Sequence, residues 1–208
     1  DVLRLDRPVI RPSDARTAVF YSISNCQEGL RGIPFGGPLI KQVVDVLRTE
    51  FPALRQAVTL SPMPGFARWL AKRAETDPVD QQLAEMLAQP GWHEDAARTA
   101  ALKLPVLRAA ARYLLNSRGR EADAVARFHL GNGARVQQLD WLGDTSPKGL
   151  AQSHGMMVNY LYDPAHIDAN YRAYHDGGTV AASSTLRKLV RDEAGASILP
   201  WRTAREYR

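Results

Sequence analysis

Thr17-Ala-Val-Phe-Tyr-Ser-Ile-Ser24 is a run of β-branched and aromatic residues bounded by Asn25 and Gly29, and reading it as a central strand decides the fold. A loop follows over residues 25–37. From Pro38 to Phe51 the apolar residues fall at 39/40, 43/44, 47 and 51, with Lys41, Gln42, Asp45 and Arg48 between them, the 3.6-residue period of an amphipathic helix. Pro38 suits its first turn, where the missing N–H costs nothing. Gln56-Ala-Val-Thr-Leu-Ser61 reads as a second short strand, stopped by Pro62 and Pro64, with a helical pattern from Phe66 to Lys72. Strand, glycine-rich loop, helix and strand form a β-loop-α-β unit, which implies a partly parallel sheet in an α/β (α+β) fold.

Beyond this unit the signals change. Val79, Leu83, Met86, Leu87, Leu104, Leu107, Leu114 and Leu115 carry helix periodicity without strand signals, a helical insertion over about residues 76–118. Ala124 to His129 reads as a return to extended structure, and Gly131-Asn132-Gly133 as a turn before a strand from Val136 to Trp141. Ser146 to Asn159 is helix or loop, and from Ala165 onward the chain reads as helical or irregular with a break at Asp176-Gly177-Gly178.

The chain has 208 residues, 45% hydrophobic and 24% charged, the composition of an ordinary globular protein. No apolar run is long enough to span a membrane, and the N-terminal DVLRLDRPVIRP lacks the pattern of a signal peptide. Cys26 is the single cysteine, so neither an internal disulfide nor a cysteine-rich metal site is available, and a cytoplasmic protein of bacterial type is expected. The net charge of +5 suits nucleic acid or a small polyanion such as coenzyme A. A basic stripe interleaved with aromatics is lacking, so neither nucleic acid nor membrane is an expected partner.

Three places could carry chemistry. Glycines 29, 32, 36 and 37, between a strand and a helix N-terminus, are placed either to cradle a phosphate or to make a tight turn; the loop matches neither the Walker A nor the G-x-G-x-x-G pattern. Ser61 ends a strand with two prolines fixing the chain after it, where ligands bind in open sheets, or it simply ends a strand; no G-x-S-x-G elbow is present. His129, between Phe128 and Leu130, is either a structural histidine or a reactive one near a strand end, with His154 a second candidate. His93, His166 and His175 read as surface residues, and Met156, Met157 and Trp141 as core. No spacing points to a metal site.

Taken in order, AVFYSIS, QEGLRGIPFGGPLIKQVV, TLSPMPGF, ARFHLGNGA and GMMVNYLYD resemble the catalytic domain of the malonyl-CoA decarboxylase family over roughly residues 17–163. The resemblance implies a mixed sheet with flanking helices like that of the GCN5-related N-acetyltransferases, with residues 1–208 forming an acyl-CoA-binding catalytic domain. It also implies that the first strands of the fold and the family's helical domain, the main route to a homo-oligomer, lie ahead of this chain. Arg31, Gly32, Ile33, Pro34, Phe35, Gly36 and Gly37 then bind the coenzyme A pyrophosphate, Ser61 and His129 are the catalytic pair, and Tyr162 lines the site. Asn159 and Lys41 are further candidates. Pro34 and Gly37 vary in the family, which favours backbone contacts there. The C-terminal REYR is not the peroxisomal Ser-Lys-Leu signal.

The implied reaction converts malonyl-CoA to acetyl-CoA and CO2 without a metal or other cofactor, because the coenzyme A thioester of the substrate is itself the electron sink. The alternatives are a coenzyme A-dependent acyltransferase on the same fold, which would need an acceptor pocket and a base, and a non-catalytic acyl-CoA-binding module.

Overall fold

The expected β-loop-α-β unit is present: β1 (Thr17–Tyr21) pairs in parallel with β2 (Gln56–Pro62), and α1 (Gly36–Glu50) lies between them in the chain. The computed structural model describes residues 8–21, 28, 36–116 and 123–195. Gly36 and Gly37 open α1, so they belong to its first turn with Pro38 rather than to the loop before it.

Three helices follow β2: α2 (Phe66–Ala74), on the helical pattern read from Phe66, and α3 (Pro78–Leu87) and α4 (Ala96–Leu115), in the stretch read as a helical insertion. α4 buries Leu102, Val106, Ala109, Ala110, Tyr113 and Leu114, the stripe expected of a helix against a core, and keeps Pro105 on its exposed side. Asp80, with no exposed surface, joins all three: it accepts from Arg73 Nε of α2 at 2.6 Å and is paired with Arg112 of α4. Both guanidinium groups also lie over the Trp69 ring, at 5.6 and 5.9 Å from its centroid.

Residues 124–129 are not extended. They belong to α5 (Ala124–Gly131), because the Asp123 side chain caps the first turn and Ala126, His129 and Leu130 form one buried stripe at i, i+3, i+4. His129 therefore stands in the last turn of a helix and not at a strand end. Gly133, at φ +80°, makes the predicted turn; a side chain there would run into the Ile167 carbonyl. β3 (Arg135–Asp140) comes next, then α6 (Pro147–Ser153) capped by Ser146.

β4 (Met157–Leu161) occupies the segment read as helix or loop. Met157, Val158, Tyr160 and Leu161 are all buried, so both faces of the strand are covered and the sequence has no alternation to show. Among the described residues the sheet is four-stranded and mixed, in the order β1-β2-β4-β3, with β4 antiparallel to both neighbours. α7 (Ile167–Gly177) and α8 (Ser184–Gly195) complete the eight described helices, with Gly178 ending α7 in the left-handed conformation. No helix among the described residues is long and apolar enough to cross a membrane.

Asp80→Ala leaves two guanidinium groups facing a buried void. It is expected to lower unfolding stability by about 3 kcal/mol, read as a drop in urea midpoint at unchanged slope.

Candidate active site

Ala57, Thr59 and Ser61 project from one face of β2, and the antiparallel register sets Val158, Tyr160 and Tyr162 beside them. Val158 pairs with Ser61, and the Tyr162 N–H donates to the Ala57 carbonyl at 2.9 Å. His129 of α5 comes down on this face. Its Nε2 lies 3.2 Å from Ser61 Oγ and its Nδ1 lies 2.8 Å from Tyr162 Oη, while the ring stacks on Tyr160 at 4.6 Å and 22°. Ser61 Oγ donates to Thr59 Oγ1 at 2.8 Å. The result is an unbroken chain, Tyr162–His129–Ser61–Thr59, whose members are 5% exposed or less.

Burial sets the protonation of this chain. Desolvation pushes His129 down to about 4, so its ring is neutral at pH 7, and pushes the Tyr162 hydroxyl up. A serine beside a neutral imidazole in an apolar site can donate to an oxyanion, and the ring can donate or accept one proton.

The spacing between β2 and α5 is held by Asp123. Oδ1 accepts from the N–H groups of Val125 (2.9 Å) and Ala126 (3.2 Å), at the start of the helix that carries His129. Oδ2 accepts from the Gly65 N–H (3.0 Å), four residues after Ser61, and from the Tyr113 hydroxyl (2.9 Å). Gly65 has to be glycine, since a Cβ there would strike that hydroxyl. One buried carboxylate thus fixes the loop after Ser61 to the helix bearing its partner.

Ser61, His129 and Tyr162 are brought together, and Asn159 stands next to them, its Nδ2 donating to the Thr59 carbonyl at 2.8 Å. Lys41 is elsewhere: on α1 it faces Asp168 at 4.0 Å, beside a shallow groove lined by Val44, Asp45, Pro164 and Ile167. Arg31, Gly32, Ile33, Pro34 and Phe35 lie outside the described residues; Gly36 and Gly37 begin α1. His166 and His175 are exposed and His93 partly so, while His154 caps α6 in the left-handed conformation with Phe66 against its ring at 6.1 Å. Among the described residues no three His, Cys, Asp or Glu are grouped to hold a metal ion.

Thr59, Tyr160 and Asp123 were not singled out from sequence. Thr59 and Tyr160 carry an available signal, each standing two residues before a candidate and so on the same strand face. Asp123 carries another, an aspartate directly before an apolar helical run.

Burial also holds His154 down to about 4. The unfolded chain binds these protons near the ordinary value of 6.5, so between pH 6.5 and 4 it holds more protons than the native state. The stabilising contribution is complete above that window and is lost as pH falls through it. Urea denaturation is expected to show stability declining with a slope of at most about 1.4 kcal/mol per pH unit for each histidine, flattened in His129→Gln.

The sequence model of the malonyl-CoA decarboxylase C-terminal domain matches residues 1–198. The mitochondrial malonyl-CoA decarboxylase of Anser anser anser is 36% identical, with 84% of this chain and 40% of the relative covered; that of Rattus norvegicus is 37% identical, with 83% and 40% covered. The crystal structures of malonyl-CoA decarboxylase from Rhodopseudomonas palustris and Agrobacterium vitis are each 50% identical, with TM-scores of 0.83 and 0.86. They cover 90% and 91% of this chain, which spans 45% and 49% of theirs. The chain therefore spans about two fifths of the length of these curated relatives and about half of the solved structures. With the family model matching nearly all its length, the chain belongs to the malonyl-CoA decarboxylase family and carries that family's C-terminal domain.

Proposed function

We propose that this domain decarboxylates malonyl-CoA to acetyl-CoA and CO2, with Ser61 and His129 as the reacting pair and Tyr162 supporting the ring. The observation that carries this reading is the buried Tyr162–His129–Ser61 contact, assembled from three separate sequence blocks in a chain of this family.

In the reaction the bond between the malonyl α-carbon and its carboxylate breaks. The electron pair passes into the thioester, CO2 leaves, and the enolate of acetyl-CoA takes up one proton at carbon. Ser61 Oγ–H meets the thioester oxygen or the carboxylate, where charge develops or departs. His129 orients that hydroxyl and supplies the proton. Its ring is neutral in the free protein, but a malonyl carboxylate brought beside it favours the imidazolium form, so the substrate recruits the proton that the enolate later receives. The thioester is the electron sink, and no metal step is invoked.

In this reading the coenzyme A diphosphate sits on residues 31–37, where the start of α1 offers N–H groups and the positive end of the helix dipole. Arg31 and Lys41 add positive charge near that end.

Malonyl-CoA incubated with the protein is expected to give acetyl-CoA and CO2 in equal amounts by mass spectrometry. Turnover falls about a hundredfold or more in His129→Ala and in Ser61→Ala at retained fold. Full turnover in His129→Ala, or product only with an added amine acceptor, defeats the reading. With His129 titrating near pH 4 in the free protein, kcat/KM is expected to show no inflection from this group between pH 6 and 8.

A further inference from the structure

Continuing the β2–β4 register from Ser61↔Val158 by two residues sets Thr59 opposite Tyr160, in a position where two backbone groups should exchange both their hydrogen bonds. They do not. The Tyr160 N–H donates instead to Thr59 Oγ1 at 3.2 Å, and the Thr59 carbonyl accepts from Asn159 Nδ2 at 2.8 Å. Two side chains have taken the Tyr160 N–H and the Thr59 carbonyl out of the ladder in the middle of the sheet, beside the Ser61–His129 contact. Such an opening costs main-chain pairing in a buried place, yet the Tyr160 N–H and the Thr59 carbonyl each keep a partner.

With the Ser61 O–H directed at Thr59 Oγ1, the replaced rung implies where the other protons lie. Thr59 Oγ1 receives the Tyr160 N–H and the Ser61 O–H. A serine has one proton, so with that proton on Thr59 the contact between Ser61 Oγ and His129 Nε2 requires the hydrogen to be on Nε2. Nδ1 is then the bare nitrogen and accepts from the Tyr162 hydroxyl. All three bonds run in one direction, from Tyr162 towards Thr59.

We propose that Thr59 is a positioning residue that sets the polarity of this relay: it parks the Ser61 proton and so holds His129 in its Nε2–H form until a substrate oxygen takes the place of Thr59 as acceptor. The kinetic part of the proposal rests on the decarboxylation reading. The polarity part does not, since it concerns the free protein.

The test is the tautomer of His129, read by long-range proton–nitrogen correlation NMR on 15N-histidine-labelled protein at pH 7, with its signals identified by their loss in His129→Gln. The wild-type protein is expected to show Nε2–H. In Thr59→Val, which keeps the shape and removes the hydroxyl, Ser61 turns its proton to Nε2 and the ring is expected to switch to Nδ1–H. Thr59→Ser keeps the wild-type pattern.

With malonyl-CoA, Thr59→Val is expected to lose about tenfold or more in kcat with KM within about twofold, and Thr59→Ser to recover most of the loss. An Nδ1–H ring in the wild-type protein overturns the proposal outright, even where Thr59→Val fails to fold. A tautomer unchanged in Thr59→Val, or a switch without change in kcat, overturns the positioning role. The predicted tautomers in a protein that does not decarboxylate malonyl-CoA would support the polarity and defeat the proposed function alone.

Discussion

The site depends on one carboxylate. Asp123 takes four hydrogen bonds from three parts of the chain: the first turn of α5, the loop after β2, and α4 through Tyr113. Ser61 and His129 are 68 residues apart in sequence, and their 3.2 Å contact requires a strand and a helix to keep a fixed offset. Apolar packing alone specifies such offsets loosely, because hydrophobic contact has no direction. A buried carboxylate with both oxygens committed is directional and stringent, since displacing α5 would break bonds in a place where water cannot replace them.

Around that clasp the partners of His129 are uncharged. His129 is stacked on Tyr160, edged by Phe128 at 5.0 Å and bonded only to neutral hydroxyls, so it stays neutral. The charged groups of the α2–α3–α4 layer are arranged differently: Arg73 and Arg112 are balanced by Asp77 and Asp80 beside Trp69. In the proposed reaction an anionic substrate reaching this buried, neutral pair shifts the ring toward its protonated form. On that reading the same environment weakens solvation of a malonyl carboxylate more than that of the uncharged CO2 it becomes.

Much of this was legible in the sequence, and the exceptions have physical reasons. The parallel β1–β2 unit could be read because β-branched strands, a glycine loop and an amphipathic helix each carry a local signal. Ser61 and His129 stood out among the residues themselves, their pairing and Tyr162 came from the resemblance, and the structure sets the three in contact. β4 escaped because it is covered on both faces and flanked by helix, so neither period is visible in MVNYL. The misread segment, residues 124–129, has bulky residues next to a glycine turn, and only tertiary burial of Ala126, His129 and Leu130 with the Asp123 cap favours helix. Thr59 was marked in the sequence only by standing two residues before Ser61 on one strand face, and its role exists only once Tyr160 stands opposite.

The strand order explains why fold and site cannot be separated. β4, the last strand in the described chain, lies between β2 and β3, and it brings Tyr160 and Tyr162 to the face that already carries Thr59 and Ser61, with Asn159 reaching the Thr59 carbonyl. Before it inserts, β2 has no partner on that side, His129 has no ring to stack on, and Thr59 Oγ1 has no backbone donor. The strand that closes the sheet is therefore the one that completes the relay. Opening one of its rungs at Thr59 is tolerable there because the neighbouring pairs at Ala57/Tyr162 and Ser61/Val158 hold the register on both sides. A sheet interior ordinarily has no spare hydrogen-bonding groups; diverting half a rung to side chains sets Thr59 Oγ1 beside Ser61 Oγ while the Tyr160 N–H and the Thr59 carbonyl both keep partners.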